Sequence, residues 1–254
     1  MRSQAVKVTK RTGRSAYLVV LALSAILLPS ARSEPASTTV REELVTGPHD
    51  VQIKLRMEGP YTADVPLQVV CYFKYTPEGA RRMTGAPVEL DKKLGGVIGA
   101  IRERGEFAGD MSETFLIIPP PNSIKAKALL LIGLGDEESF SLKVLEQVGK
   151  TSIREAARLG ISRVAFAPLI RDQGNSKFST GDVEQAVIRG MLLAYETEIS
   201  LQKEHLAKPY SLKEWIVEAG PAFFDDTKLG VQQGIADAKA VVDRQPAGTL
   251  IHSR

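Results

Sequence analysis

Short apolar runs along the chain predict six strands from residue 51 onward. The first run alternates apolar and polar residues, which indicates a half-buried strand of the kind found at a sheet edge. The run Ala128–Ile132 is fully apolar, as expected at the centre of a sheet covered on both faces. The predicted strands are Val51–Met57, Val65–Phe73, Thr114–Ile118, Ala128–Ile132, Val164–Ala167 and Trp215–Ala219.

Apolar residues spaced three and four apart predict four helices among these strands. Ser179 and Asp182 fit a capping box at the start of the third helix, with Asp in place of the usual Glu. Asp225 or Asp226 is expected to cap the fourth. The helical stretches are Val88–Ile101, Leu142–Leu159, Val183–Tyr195 and Val231–Val242, and residues 76–86 are predicted as a loop.

This alternation of strands and helices predicts one three-layer α/β domain over residues 49–248. The alternating first strand indicates a mixed, mostly parallel sheet, and the amphipathic helices are expected on both of its faces. No internal repeat or long linker divides the segment, so one domain is the best count.

The first 33 residues are typical of a secretory signal peptide. A basic start precedes an apolar run of 13 residues, Ala16–Leu28, and Ala31 and Ser33 form a small-x-small cleavage signature. A membrane anchor is the alternative, but a spanning helix needs about 20 apolar residues. The sequence therefore predicts cleavage after Ser33, a secreted or periplasmic protein, a flexible leader at 34–48 and a tail at 249–254.

Charge and cysteine content narrow the function classes. Residues 1–33 carry six of the 33 Lys and Arg and no acid, so the remainder has 27 basic residues against 30 Asp and Glu, a net charge of −3. That balance argues against a nucleic-acid partner, which usually meets a concentrated basic face. Cys71 is the only cysteine and lies in an apolar run, so a buried core thiol is favoured over a nucleophile.

Four segments together resemble the amino-terminal domain of the leucine aminopeptidase family, whose fold is macro-domain-like. Phe107–Asp110 precedes a strand, and the strand after it ends in Gly-Leu-Gly-Asp. The helix segment Ala186–Tyr195 resembles a family helix, with Arg189 where Glu is common. Gly234–Gly248 is similar to the helix that enters the family's catalytic half, although both expected Asn residues are missing.

The resemblance implies that no active site lies within this chain. The family's site is in the carboxy-terminal domain, where a Lys and several carboxylates hold two divalent metals, and its Asn-Thr-Asp-Ala-Glu-Gly-Arg motif does not occur here. The three histidines, His49, His205 and His252, have no metal-ligand spacing. We therefore expect no catalytic residue, no metal and no cofactor, in a free-standing copy of the domain.

One loop has possible value for binding. Gly133, Gly135 and Asp136 follow a buried strand and precede a helix, where backbone amides can cradle an anion. The following acids would repel phosphate, so a tight turn is the favoured interpretation. Gly95, Gly96 and Gly99 are explained in a similar way, by close helix packing.

Three functions stay open. The first is a non-catalytic module that binds a protein or peptide or supports assembly into an oligomer. The second is an accessory chain for a separately encoded aminopeptidase catalytic chain. The third is an ADP-ribose or nucleotide binder, by analogy of fold alone, which is a weak basis for function. No stable membrane anchor is expected after cleavage of the signal.

Overall fold

The structure, a computed structural model, describes residues 41–244. The predicted signal peptide, residues 34–40 of the predicted leader and the tail at 249–254 lie outside the described residues. Between residues 41 and 244, no helix is long and apolar enough to cross a membrane.

The domain is built on one seven-stranded mixed sheet with the strand order β1-β2-β7-β6-β3-β5-β4. The five inner strands run parallel, and β1 and β4 pair antiparallel at the two edges. This confirms the predicted mixed, mostly parallel sheet. The strands are β1 Glu42–Thr46, β2 Gln52–Arg56, β3 Leu67–Tyr72, β4 Thr114–Ile117, β5 Leu129–Gly133, β6 Arg163–Ala167 and β7 Glu214–Glu218.

Helices cover both faces of the sheet, as predicted. Three long helices pack side by side on one face, over a core that includes Trp215 and Phe166. Two short helices cover β3 and β5 on the other face, around Tyr72 and Phe107. The helices are α1 Pro77–Arg82, α2 Ala86–Lys93, α3 Val97–Glu103, α4 Leu142–Leu159, α5 Thr180–Lys203 and α6 Phe224–Val242.

Strand β1 lies inside the segment predicted as a flexible leader. Its five residues pair in register with β2, from Glu42 opposite Arg56 to Thr46 opposite Gln52. Only Val45 packs against the main core, while Leu44 is 54% exposed. The sequence pattern of such an exposed edge strand is too polar to reveal it, and β2 is consequently not an edge strand.

Around residue 90, two predicted elements differ from those in the structure. The predicted loop at 76–86 contains the short helix α1, which Thr76 caps by accepting from the Gly79 amide at 2.9 Å. The single helix predicted at Val88–Ile101 is two helices, because Gly95 and Gly96 adopt positive φ angles of 72° and 83°. Neither glycine has a neighbour within 4 Å of an added Cβ, so the close-packing explanation is wrong for both.

The predicted caps of the last two helices have different outcomes. The capping box at α5 is confirmed: the Asp182 amide donates to Ser179 Oγ at 3.0 Å, and the Ser179 amide donates to Asp182. Helix α6 has no side-chain cap, because Asp225 and Asp226 lie within its first turn. Asp226 instead caps α5, accepting from Thr180 Oγ1 at 2.6 Å and from the Gly181 amide at 2.8 Å.

Candidate functional site

The predicted glycine loop is a tight turn in which the amides of residues 133–135 are already engaged. The Gly133 amide donates to Glu113 O at 2.8 Å, and the Gly135 amide donates to Gly109 O at 2.9 Å. Between them, Leu134 donates to Tyr72 O. Gly135 has a φ of +75°, which favours glycine at this turn. No amide of these three residues is left to cradle an anion.

The remaining predicted residue, Asp136, is exposed beside a cavity of about 330 Å³. The six charged residues that line this cavity are balanced, three basic and three acidic, and two of the basic ones form ion pairs. Arg82 lies 2.5 Å from Glu137, and Lys74 lies 2.9 Å from Asp110. Because paired surface charges leave little net field, this region offers a weak basis for binding.

A second cavity, of about 280 Å³, lies where strands β6 and β7 end. We call it the carboxyl-end cavity. The carboxyl ends of parallel strands are where α/β domains usually bind ligands, since the loops there converge. Its walls come from the end of β2, the β6–α5 loop, the end of β7 and the first turns of α5 and α6. The lining residues are Glu58, Gly59, Pro60, Ala86, 167–172, Phe178, Thr180, Val183, Glu184, 218–220, Phe223 and Thr227.

Glu184 places an acid on the apolar side of α5. Its side chain is 2% exposed, and Oε2 is buried without a hydrogen-bond partner among the described residues. Burial raises the pKa of the Glu184 carboxyl to about 8. A buried polar group left unpaired costs about 1–3 kcal/mol, so its retention in this cavity needs an explanation.

Glu218, the last residue of β7, adds a second buried acid. It is 8% exposed, and Gln68 Nε2 donates to its Oε2 at 3.1 Å, while Oε1 has no partner among residues 41–244. Burial, together with the neighbouring Glu58 charge, raises the pKa of Glu218 well above its usual range. The two acids are close enough for the charge of Glu184 to raise it further.

The other charged groups around the cavity are partly committed elsewhere. Arg56 Nη1 lies 2.9 Å from Glu58 Oε1, and Arg56 Nε lies 2.9 Å from Glu42. Arg171 is exposed and stacks over the Phe223 ring, with its guanidinium carbon 4.9 Å from the ring centroid. The cavity therefore has an apolar wall, an exposed aromatic and cationic edge, and an acidic interior.

Sequence reasoning missed both interior acids, although α5 carried a signal. Glu184 stands three and four residues before Val187 and Ile188, and seven before Met191, all of them buried. It therefore interrupts the apolar stripe of the predicted helix, where an acid is out of place. Glu218 had no comparable signal, since an acid at the end of a strand is common.

Two further expectations concern the chemistry of single residues. Cys71 is fully buried, and burial raises the pKa of its thiol, as expected for a core residue. Within residues 41–244, no group of three or more His, Cys, Asp or Glu is placed to hold a metal ion. His49 lies 2.5 Å from Glu196, at the opposite end of the sheet from the cavity.

The fold and cavity define the class of protein: an α/β domain with a mixed sheet, helices on both faces and a ligand-sized cavity at the carboxyl ends of its strands. Residues 69–203 match the amino-terminal domain of the cytosol aminopeptidase family. This match covers more than half of the chain, and the chain belongs to that family. It includes the segments Phe107–Asp110, Leu129–Asp136 and Ala186–Tyr195, whereas Gly234–Gly248 lies beyond it.

Curated relatives are much longer than this chain. The probable cytosol aminopeptidase of Thermosynechococcus vestitus is 28% identical over 134 residues, which are 53% of this chain and 26% of the relative. That of Burkholderia orbicola is 24% identical over 177 residues, which are 67% of this chain and 33% of the relative. The chain thus spans between a quarter and a third of the length of these relatives.

Solved structures support the fold. A mutant of tomato leucine aminopeptidase aligns with a TM-score of 0.52 at 15% identity, over 76% of this chain and 37% of the tomato chain. An Oceanobacillus iheyensis macrodomain with ADP aligns with a TM-score of 0.49 at 10% identity, over 81% of this chain and 99% of the macrodomain. The alignment with the tomato enzyme supports the predicted α/β fold of this domain.

Proposed function

We propose that this chain is an exported, non-catalytic member of its family that binds a peptide, or a segment of a protein, at the carboxyl-end cavity. The observation that carries the proposal is the cavity itself, with its apolar walls and two interior carboxyls, each of which has one oxygen without a hydrogen-bond partner among residues 41–244. Its volume of about 280 Å³ is near the lower end of ligand pockets. That size suits one side chain or one chain end better than a whole nucleotide.

A plugged cavity tests the binding site. Gly220 lies at the exposed edge with a φ of −69°, and an added Cβ would come no closer than 3.7 Å to Phe223. Gly220→Leu should therefore fill the opening without backbone strain. Lys208→Leu places the same side chain in the loop before β7, at the other end of the sheet.

The assay is retention of synthetic peptides of randomised sequence, measured by equilibrium dialysis and mass spectrometry. We expect a subset of peptides to be retained by the wild type and by Lys208→Leu but released by Gly220→Leu. Equal retention by all three proteins would place binding elsewhere. If the wild type retains nothing, the chain has no peptide-binding role of this kind.

The non-catalytic part of the proposal follows from the absence of the family's metal-site motif in the sequence. A two-metal hydrolase needs bridging carboxylates to clamp the attacking water. The purified chain should therefore leave leucyl-p-nitroanilide intact in the presence of Mn²⁺ or Zn²⁺. Metal-dependent release of nitroaniline that copurifies with the chain would refute this part.

Cooperation with a catalytic domain is the second candidate function. It is favoured by family membership and by the short share of each relative that the chain covers. In this case the domain would position or assemble a catalytic partner. Size-exclusion chromatography of the native complex from its host, with aminopeptidase activity assayed across the fractions, tests it: the activity should coelute with the chain.

Nucleotide binding is less well supported by the site. The interior acids would repel a diphosphate when they are ionised, and the amides of Gly133, Leu134 and Gly135 are already engaged. Calorimetric titration with ADP-ribose is therefore expected to give no binding heat. Export is tested separately: the amino-terminal sequence of the protein in the extracytoplasmic fraction should begin at Glu34.

A further inference from the structure

The interior of the carboxyl-end cavity combines apolar walls with two buried acids. Most of its surface is apolar, with Leu169, Ile170 and Val183 among the lining side chains. Glu184 and Glu218 are more than nine-tenths buried and line the cavity, and each has one buried carboxyl oxygen with no hydrogen-bond partner in the part of the chain that the structure describes. An apolar pocket with a few convergent polar groups is the general form of a small-ligand site, in which the polar groups select the ligand.

These two oxygens need a ligand that donates hydrogen bonds. A carboxylate accepts hydrogen bonds only, and its strongest partners are ammonium and guanidinium groups. A metal ion is a poorer match, because no described group of three or more ligand side chains surrounds a common point and because the walls are apolar. A phosphate or carboxylate ligand would meet like charge wherever the two acids are ionised.

We propose that the carboxyl-end cavity binds the ammonium group of a peptide, carried on a short apolar stem, with Glu184 and Glu218 as its charge partners. The inference rests on the proposed peptide-binding function and specifies the chemistry of that same site. The stem lies along the apolar wall, and the ammonium replaces the missing partners of the two carboxyls. Either a lysine side chain or a free amino terminus supplies this chemistry.

The exposed edge of the cavity is compatible with a peptide that enters with its ammonium group first. Phe223 is 40% exposed and presents its ring beside the opening, where Arg171 already stacks on it. An incoming peptide can displace or share this aromatic face, while the interior acids attract its cationic end. The contrast between a cationic edge and an acidic interior would also favour a ligand that is neutral or acidic away from its ammonium group.

Binding is expected to depend on pH, because burial raises the pKa of both acids. The ammonium group stabilises the ionised carboxyl, so binding releases a proton wherever the empty site is protonated. Affinity for a lysine-bearing peptide should therefore rise as the pH increases from 6 to 8. The lysine ammonium, with a pKa of about 10.4, stays charged over this range.

Several groups face Glu184 from the elements packed against α5. Phe223, which directly precedes α6, and Thr227 of α6 do not titrate between pH 6 and 8. The titratable or charged groups from the other elements are Arg56, Glu58, Cys71, Arg171, Asp172 and Glu218.

The test uses three versions of one pentapeptide, Gly-Leu-Lys-Leu-Gly-amide, measured by isothermal titration calorimetry. One has a blocked amino terminus and a free lysine, the second has an acetylated lysine and a free amino terminus, and the third has both groups blocked. At least one of the first two should bind, and the third should bind about tenfold or more weakly. Whichever of the first two peptides binds identifies the source of the ammonium group, the lysine side chain or the amino terminus.

Two isosteric variants separate charge from shape. Glu184→Gln and Glu218→Gln should each weaken binding of the charged peptide about tenfold or more. Glu103→Gln removes an exposed acid from α3 and should leave the affinity unchanged. Repeating the titrations in buffers of different ionisation enthalpy should show proton release at pH 7 for the wild type, reduced in the Glu184→Gln protein.

The outcomes distinguish the two proposals. If all three peptides bind equally and Gly220→Leu abolishes binding, the peptide function stands and the ammonium specificity is wrong. If the charged peptides bind but the Gln variants bind them as tightly as the wild type, Glu184 and Glu218 are not the charge partners and the assignment fails. If none of the three pentapeptides binds while peptides from the randomised set are still retained, the ammonium assignment fails and the peptide function stands; if the randomised set is not retained either, both proposals fail.

Discussion

At the scale of single residues, Glu184 has the clearest consequence for stability. Burial raises the pKa of its carboxyl to about 8 in the folded protein, against about 4.3 in an unfolded chain. The folded state therefore binds this proton more tightly. The resulting stabilisation is fully present below pH 4 and is lost as the pH rises toward 8.

Glu184→Gln removes this titration while keeping the side-chain shape. Relative to the wild type, the variant should gain stability as the pH increases from 5 to 8, by up to about 1.4 kcal/mol per pH unit. Urea unfolding of both proteins at several pH values measures the difference. Glu103→Gln, which removes an exposed acid, is the control for the loss of one charge. A difference between wild type and Glu184→Gln that is constant over this range would mean that the carboxyl ionises normally.

Asp226 gives a second prediction at this scale, since it caps the neighbouring helix rather than its own. Asp226→Ala leaves the Gly181 amide and Thr180 hydroxyl without their acceptor, and should lower the free energy of unfolding by about 1 kcal/mol. Asp225→Ala is the matched control, because Asp225 makes only an exposed pair with Arg41 at 2.7 Å. Thermal unfolding of the two variants should separate them; equal melting temperatures would argue against the cap.

At the scale of elements, the pattern of apolar residues predicts those strands and helices that are buried on one face or on both. The sequence predicts the buried strands β3, β5, β6 and β7 and the helices α4 and α5, because each of these strands contains an apolar run and each of these helices repeats apolar residues at helical spacing. Helix α1 and strand β1 were missed, since neither has a strong apolar face. The cavity was missed as well, because it joins loops that are far apart in the chain and no local pattern reports their convergence.

Helices α4 and α5 approach so closely that glycine is required on both. A Cβ added at Gly190 would lie 2.0 Å from Glu146 O on α4, and one at Gly149 would lie 2.1 Å from Val187 O on α5. The two contacts are reciprocal, so the backbones meet without side chains between them. The sequence predicts a helix over Val183–Tyr195, which contains Gly190, but no local pattern shows that a neighbouring backbone lies against it.

Gly190→Ala tests this contact. Alanine is intrinsically better in a helix by about 1 kcal/mol, yet here its methyl group must push the two helices apart. We expect the free energy of unfolding to fall by about 1–3 kcal/mol despite the better propensity. Thr197→Ala on the exposed side of α5 should change it by less than about 0.5 kcal/mol. Urea denaturation measures both, and a stabilised Gly190→Ala protein would show that the helices can separate freely.

At the scale of the whole molecule, the extent of the folded domain is set by β1 rather than by β2. The strand completes the sheet edge and connects it to α6, through Arg41 with Asp225 and through Glu43 with Lys228. Without β1, the backbone groups of β2 that face it would become an exposed edge, which is prone to pairing with other chains. The sheet therefore begins at Glu42, seven residues before the predicted start of the domain at residue 49.

A chain that begins at Val51 should consequently be less stable than one that begins at Glu34. It loses the β1–β2 ladder and the burial of Val45, together worth about 2–4 kcal/mol. Two variants of the longer chain separate the contributions: Val45→Lys should reproduce part of the loss, whereas Leu44→Lys, at a position 54% exposed, should have little effect. The urea midpoints of the four proteins give the comparison. If the chain from Val51 unfolds at the same urea concentration as the chain from Glu34, β1 is dispensable, and the domain begins where the sequence pattern predicted.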